Sequence, residues 1–140
     1  MGLVMTKVKL TNLIDMAKAK EGRIPQAAVR SVEIEALADT GAIGLAIPQE
    51  VADQLGASAI RTTAVRVADG RTIEVPYVGP LHIDVVGRSM SGDAMVLPAG
   101  TMPLLGAVQM EMLDLIVSPP TGDVIARDPS RICLPLLHAS

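Results

Sequence analysis

The sequence predicts a mainly β protein with one or two short helices, folded as a single domain over residues 1–140. Three observations predict it. Polar and apolar residues alternate over short runs, notably 7–11 and 30–38, with the period of a half-buried strand. Asp69-Gly70 lies between two such runs, a strong hairpin signal. Helix signals are confined to a few short stretches, and there is no internal repeat and no composition break that would mark a second domain.

Residues 7–11, Lys-Val-Lys-Leu-Thr, read as the first strand. Residues 12–22 are mixed. Leu13, Ile14, Met16 and Ala17 form a short helical face, and 18–22 read as an exposed excursion that Pro25 punctuates. In the second strand, 30–38, Val32, Ile34 and Ala36 share one face while Glu33 and Glu35 take the other. Leu45-Ala46-Ile47 is a short buried strand. Residues 48–56 carry a compact helix signal: proline opens it, Glu50 comes early, Val51 and Leu55 are one turn apart, and Gly56 closes it.

Residues 63–67 and 72–75 flank the Asp69-Gly70 turn. Strands at 77–86 and 90–97 follow, joined at Gly87-Arg88-Ser89. A loop, 98–103, leads to the apolar-apolar-glycine segment Leu104-Leu105-Gly106, a short helix at 107–113 and a strand at 115–117. Residues 118–123 read as a turn and 131–134 as a terminal strand.

The apolar fraction of 49% over 140 residues provides for a real core. That core is aliphatic, since Phe and Trp are absent and Tyr77 is the only aromatic residue. The absence of stacking platforms, with a net charge of −3, argues against nucleic-acid binding. No apolar run is long enough to span a bilayer, so no membrane partner is expected. Cys133 is alone, which excludes an intrachain disulfide and fits a reducing cytoplasm. One cysteine with His82 and His138, all scattered, makes no metal motif, and no cofactor is implied.

The chemistry concentrates at Asp39-Thr40-Gly41-Ala42. An apolar strand ends in a carboxylate, backed by a hydroxyl and then by a residue without a Cβ, and a second apolar run follows at once. Asp and Gly are also ordinary turn formers, so the residues alone leave both a catalytic Asp39 and a plain surface turn open. The flanks favour the first, because surface turns are seldom wedged between two apolar runs.

The order of parts extends the argument. Asp39-Thr40-Gly41-Ala42 is followed by a hairpin at Ala68-Asp69-Gly70, by further strands, and then by Leu104-Leu105-Gly106 and a helix-like run. Over roughly residues 30–117 this resembles the retroviral-like (retropepsin-like) aspartic proteases of clan AA, especially their small prokaryotic members. The resemblance implies a closed, barrel-like retropepsin-type acid protease fold. It implies Asp39 as the catalytic carboxylate, supported by Thr40, Gly41 and Ala42. It makes 68–70 a flap and Leu104-Leu105-Gly106 a segment packed under the active-site loop. It further implies a homodimer acting on a peptide or protein substrate, with Leu45, Ile47, Val67, Ile73, Pro103 and Leu104 as pocket walls.

Two positions depart from that pattern. Many retroviral members pair an acid after Asp-Thr-Gly-Ala with an arginine after the late glycine; here those positions hold Ile43 and Ala107. Both partners are missing together, so no orphan charge remains. The flap tip has a single glycine, Gly70. A second reading therefore stands beside the protease: an inactive retropepsin-like dimer that binds extended peptides. A third is an unrelated small β domain in which Asp39 merely turns the chain.

Overall fold

The structure is a computed structural model, described over residues 3–118 and 122–127. Strand β1, Met5–Asn12, runs antiparallel to β2, Ser31–Ala38, with Leu10 opposite Val32 and Thr6 opposite Ala36. Helix α1, Leu13–Lys20, and a 3-10 turn at Gln26–Ala28 connect them. After β2 come β3, Ala46–Pro48, and α2, Gln49–Leu55. Then β4, Ser58–Arg66, β5, Thr72–Val85, and β6, Arg88–Leu97, form an antiparallel meander. The two-residue β7, Leu104–Leu105, precedes α3, Ala107–Met112, and a hairpin of β8, Leu115–Ser118, with β9, Asp123–Ala126.

Seven strands form one sheet in the order β1-β2-β7-β3-β6-β5-β4, and β1 also pairs with β5. Six of them therefore make a hydrogen-bonded ring, with β4 attached outside it to β5. Most neighbours are antiparallel, but β2–β7 and β3–β6 are parallel. The ring surrounds an aliphatic core in which Val8, Leu10, Ile47, Leu55, Leu81, Ile83 and Leu105 are fully buried. Branched chains pack well on a pleated surface, so the core closes without large rings. Tyr77 lies outside this set, half-buried, with the Arg61 guanidinium 3.7 Å over its face.

Several elements differ in extent from the sequence reading. α1 runs on through Lys18–Lys20, which the reading took as an excursion; Lys18 and Lys20 sit favourably in its last turn. The Asn12 Oδ1 accepts from the Asp15 N–H at 3.0 Å to cap its start, and Asn12 Nδ2 donates to the Leu55 carbonyl at 3.0 Å. One side chain thus fastens α1 to α2. β4 begins five residues earlier than expected. The two strands expected at 72–75 and 77–86 are one, passing through Pro76 and Pro80. The β5–β6 register shifts between Val78 and Leu81, where Pro80 has no N–H to donate. β9 was not expected. The strand expected at 131–134 and part of the turn at 118–123 lie outside the described residues. Among the described residues no helix is long and apolar enough to cross a membrane.

Candidate active site

β2 ends by delivering Asp39, and the ladder does not stop at its last residue. The Leu37 N–H donates to the Pro103 carbonyl at 2.9 Å, and the Asp39 N–H to the Leu105 carbonyl at 3.0 Å. On the other side the Ala38 N–H donates to the Val4 carbonyl at 2.9 Å. The backbone of Asp39 is thus fixed by neighbours on both flanks before the chain turns.

The turn itself is local chemistry. The Gly41 N–H donates to Asp39 Oδ1 at 2.8 Å, and the Ala42 N–H to the Asp39 carbonyl at 3.0 Å. A Cβ on residue 41 would stand 3.1 Å from the same Oδ1, tighter than ordinary contact, so glycine suits the position. The carboxylate is half-buried, and Thr40 beside it is exposed.

The loop is then clasped by α3. The Ala107 N–H donates to the Ala42 carbonyl at 2.8 Å and the Val108 N–H to the Ile43 carbonyl at 2.9 Å. These donors belong to the first turn of α3, where no intrahelical acceptor is available, so the loop satisfies the helix start. Gly106 permits this approach: a Cβ there would lie 2.5–2.7 Å from the backbone of Gly44. The structure thus brings Asp39, Thr40, Gly41 and Ala42 together with Leu104, Leu105 and Gly106, as the sequence order suggested.

Gln109, which the sequence reading passed over, belongs to the same clasp. It is 6% exposed, its amide lies against Gly44, and its Oε1 has no hydrogen-bond partner among the described residues. The available signal was a lone amide amid apolar residues on a short helix.

A cavity of about 860 Å³ opens beside Asp39 and Thr40. Leu37, Ala38, Met110 and residues 115–117 give it mainly apolar walls, while Glu111 and Arg127 bring charge to it. Arg127 Nε lies 3.3 Å from Asp114 Oδ1, and its N–H donates to the Asp114 carbonyl at 2.8 Å. This ties the end of β9 to the corner between α3 and β8.

The remaining expected site residues fall elsewhere. Ala68, Asp69 and Gly70 form the exposed tip of the β4–β5 hairpin and do not line this cavity. Arg71 closes that tip by donating to Asp69 through its N–H at 2.9 Å and its Nε at 2.6 Å, which lowers the Asp69 pKa. None of the six expected pocket walls lines the cavity, and Leu45 and Ile47 are core residues, 2% and 0% exposed. Leu45 leads directly into β3, which is buried throughout, so neither residue has a side to turn toward a cleft. Among the described residues no three metal-ligating side chains converge.

A family model described as aspartyl protease matches residues 25–123, well over half of the chain. No curated protein matches it.

Proposed function

Since this chain belongs to an aspartyl protease family of clan AA, we propose that it is an endopeptidase that acts as a homodimer, each subunit contributing one Asp39. The observation that carries this reading is the clasp. The Asp39 carboxylate stands at a strand end, on a loop fastened to Leu105, Ala107 and Val108 by backbone hydrogen bonds and open to a cavity. Such fixing is suited to holding a reacting group in place rather than to a mobile surface turn.

One Asp-Thr-Gly makes half of a site, so the second carboxylate comes from a second copy about a two-fold axis. Two carboxylates one water apart do not both ionise readily and share one proton, the general pattern of aspartic-protease pairs. The ionised Asp39 takes a proton from water as the water attacks the scissile carbonyl. The protonated Asp39 donates to the carbonyl oxygen, and a proton later reaches the leaving amine. Thr40, exposed beside Asp39, hydrogen-bonds across the axis. Gly41 presents backbone to substrate, and 68–70 close over it from the hairpin tip.

The test is digestion of a peptide library at mildly acidic pH by native protein and by Asp39→Asn. Native protein cleaves and the variant does not; equal cleavage by both would reduce Asp39 to a turn residue. Ile43, 81% exposed on the loop, favours the second reading, an inactive dimer that binds extended peptides. That reading holds if the native protein retains library peptides and cleaves none.

A further inference from the structure

The cavity beside Asp39 has a wall that the proposed chemistry does not use. It touches residues 115–117 in succession, and consecutive residues of a strand point to opposite faces. The cavity therefore runs along an edge of β8 rather than over one face. β9 holds the other edge, and among the described residues no strand pairs with this one. A bare edge and a two-stranded hairpin are both stabilised by a third strand. Another wall is apolar and open to water, with Leu3 71% exposed.

The chain supplies a segment that fits. Arg127, the last described residue, itself lines the cavity. Asp128-Pro129-Ser130 follows, a turn signal, and then Arg131 and the apolar run 132–137, Ile-Cys-Leu-Pro-Leu-Leu. From Arg127 to Ile132 the chain reaches up to about 17 Å, so the run begins at the cavity and has no distance to cross. Charge agrees. Glu111 lines the cavity, exposed, and its carboxylate makes no ion pair among the described residues. Arg127 is engaged by Asp114 at 3.3 Å, which leaves Arg131 as the cation at the head of the run.

We propose that residues 131–137 occupy this cavity in their own chain, with 131–134 extended along the free edge of β8, Arg131 against Glu111, and Ile132 and Leu134 on the apolar walls. The tether decides whose segment it is. Joined to the rim by a few residues, it is present at an effective concentration in the millimolar range, about a thousandfold above another copy at micromolar protein. The seat itself is independent of catalysis. Its consequence rests on the homodimer proposed above. Asp39 and Thr40 line the same cavity, so a second copy bringing its own Asp39 comes over this face and must displace the segment. The segment thus restrains assembly of the shared site.

Cys133 is the only cysteine, so a nitroxide attaches to the full chain there alone, on the side of the extended segment away from Ile132 and Leu134. In isotope-labelled protein carrying the nitroxide, NMR should show broadened amides at 3–4, 37–40 and 115–117. When the nitroxide is instead on unlabelled chains mixed with nitroxide-free labelled ones, those amides should stay sharp. Leu134→Asp should abolish the broadening, Glu111→Arg should weaken it, and Arg131→Glu added to Glu111→Arg should restore it. Both Glu111 and its substitute are exposed, so that pair reports on the seat without disturbing the fold. By sedimentation, Leu134→Asp should lower the dimer dissociation constant about tenfold, because each subunit's docking face is then always free. The seat is overturned if those amides stay sharp in the doubly labelled chain, if they broaden only in the mixture, or if Leu134→Asp leaves them broadened. A chain that is monomeric in every variant, yet broadened as expected, keeps the seat and removes the homodimer instead.

Discussion

At the scale of single residues, the loop and α3 meet through two glycines and an amide. Gly106 has no room for a Cβ against the Gly44 backbone. Gly106→Ala should therefore destabilise the protein by about 3 kcal/mol, the upper range of overpacking, with cleavage falling alongside as the clasp opens. A thermal melt indistinguishable from native would show that the loop can retreat freely. Gln109 poses the opposite case. Its buried Oε1 is unpaired among the described residues, a state that costs about 1–3 kcal/mol. Gln109→Leu keeps a similar volume and removes the orphan acceptor, so its melting temperature should equal or exceed the native one; a clear drop would mean that the amide has a partner in solution. Asp39 was legible because alternation located the strand and the motif stood at its end. Gln109 was not, because a helix of six residues is too short for its pattern to define a buried face.

At the scale of elements, the connection between β1 and β2 is fastened by charge. Arg30 donates to Asp15 through Nε at 2.8 Å and Nη2 at 3.1 Å, and its N–H adds a third bond at 3.1 Å. The side-chain hydrogen bond from Arg30 is the main cause that lowers the Asp15 pKa. A carboxyl depressed on folding stabilises the protein fully above its unfolded pKa, and that stability is lost as pH falls through the folded value. Native stability should thus drop below about pH 4 more steeply than that of Asp15→Asn. Near neutrality the variant should be less stable by about 1–2 kcal/mol, because half of the Arg30 side chain is in water. Parallel pH profiles for the two proteins would dismiss the pair as a contributor.

Element boundaries were harder to read than element types. Pro76 looked like a break, yet β5 carries it in register opposite Thr62. Residues 58–62 are exposed throughout and so show no alternation. The contact of Leu37 and Ala38 with Leu104 and Leu105 spans two residues per strand, too few for any period. Only the order of parts along the chain anticipated it.

At the scale of the whole molecule, the proposed dimer sets the remaining expectations. Sedimentation at micromolar concentration should return twice the 14.6 kDa chain mass; a monomer at high micromolar concentration would count against a shared site. Thr40→Val keeps the volume and removes the hydroxyl, so the dimer should weaken by about 1–3 kcal/mol while the subunit melts as before. Asp39→Asn removes repulsion between like charges and should dimerise at least as well as native protein near neutral pH. An unchanged dissociation constant in Thr40→Val would remove that residue from the axis.

The ring has a temporal consequence. β1 needs two neighbours, and they are made at very different times. β2 follows it closely, but the partner of Lys9 on β5 is Asp84. A chain emerging from the ribosome can zip β1 to β2 early and must leave the other edge of β1 bare until the β4–β5 hairpin has been synthesised. Pairings so distant in sequence are slow to form, and bare edges recruit other chains. The outward lysines of β1, Lys7 and Lys9, sit along that waiting strand, and their charge discourages two nascent copies from joining there before each has closed on itself.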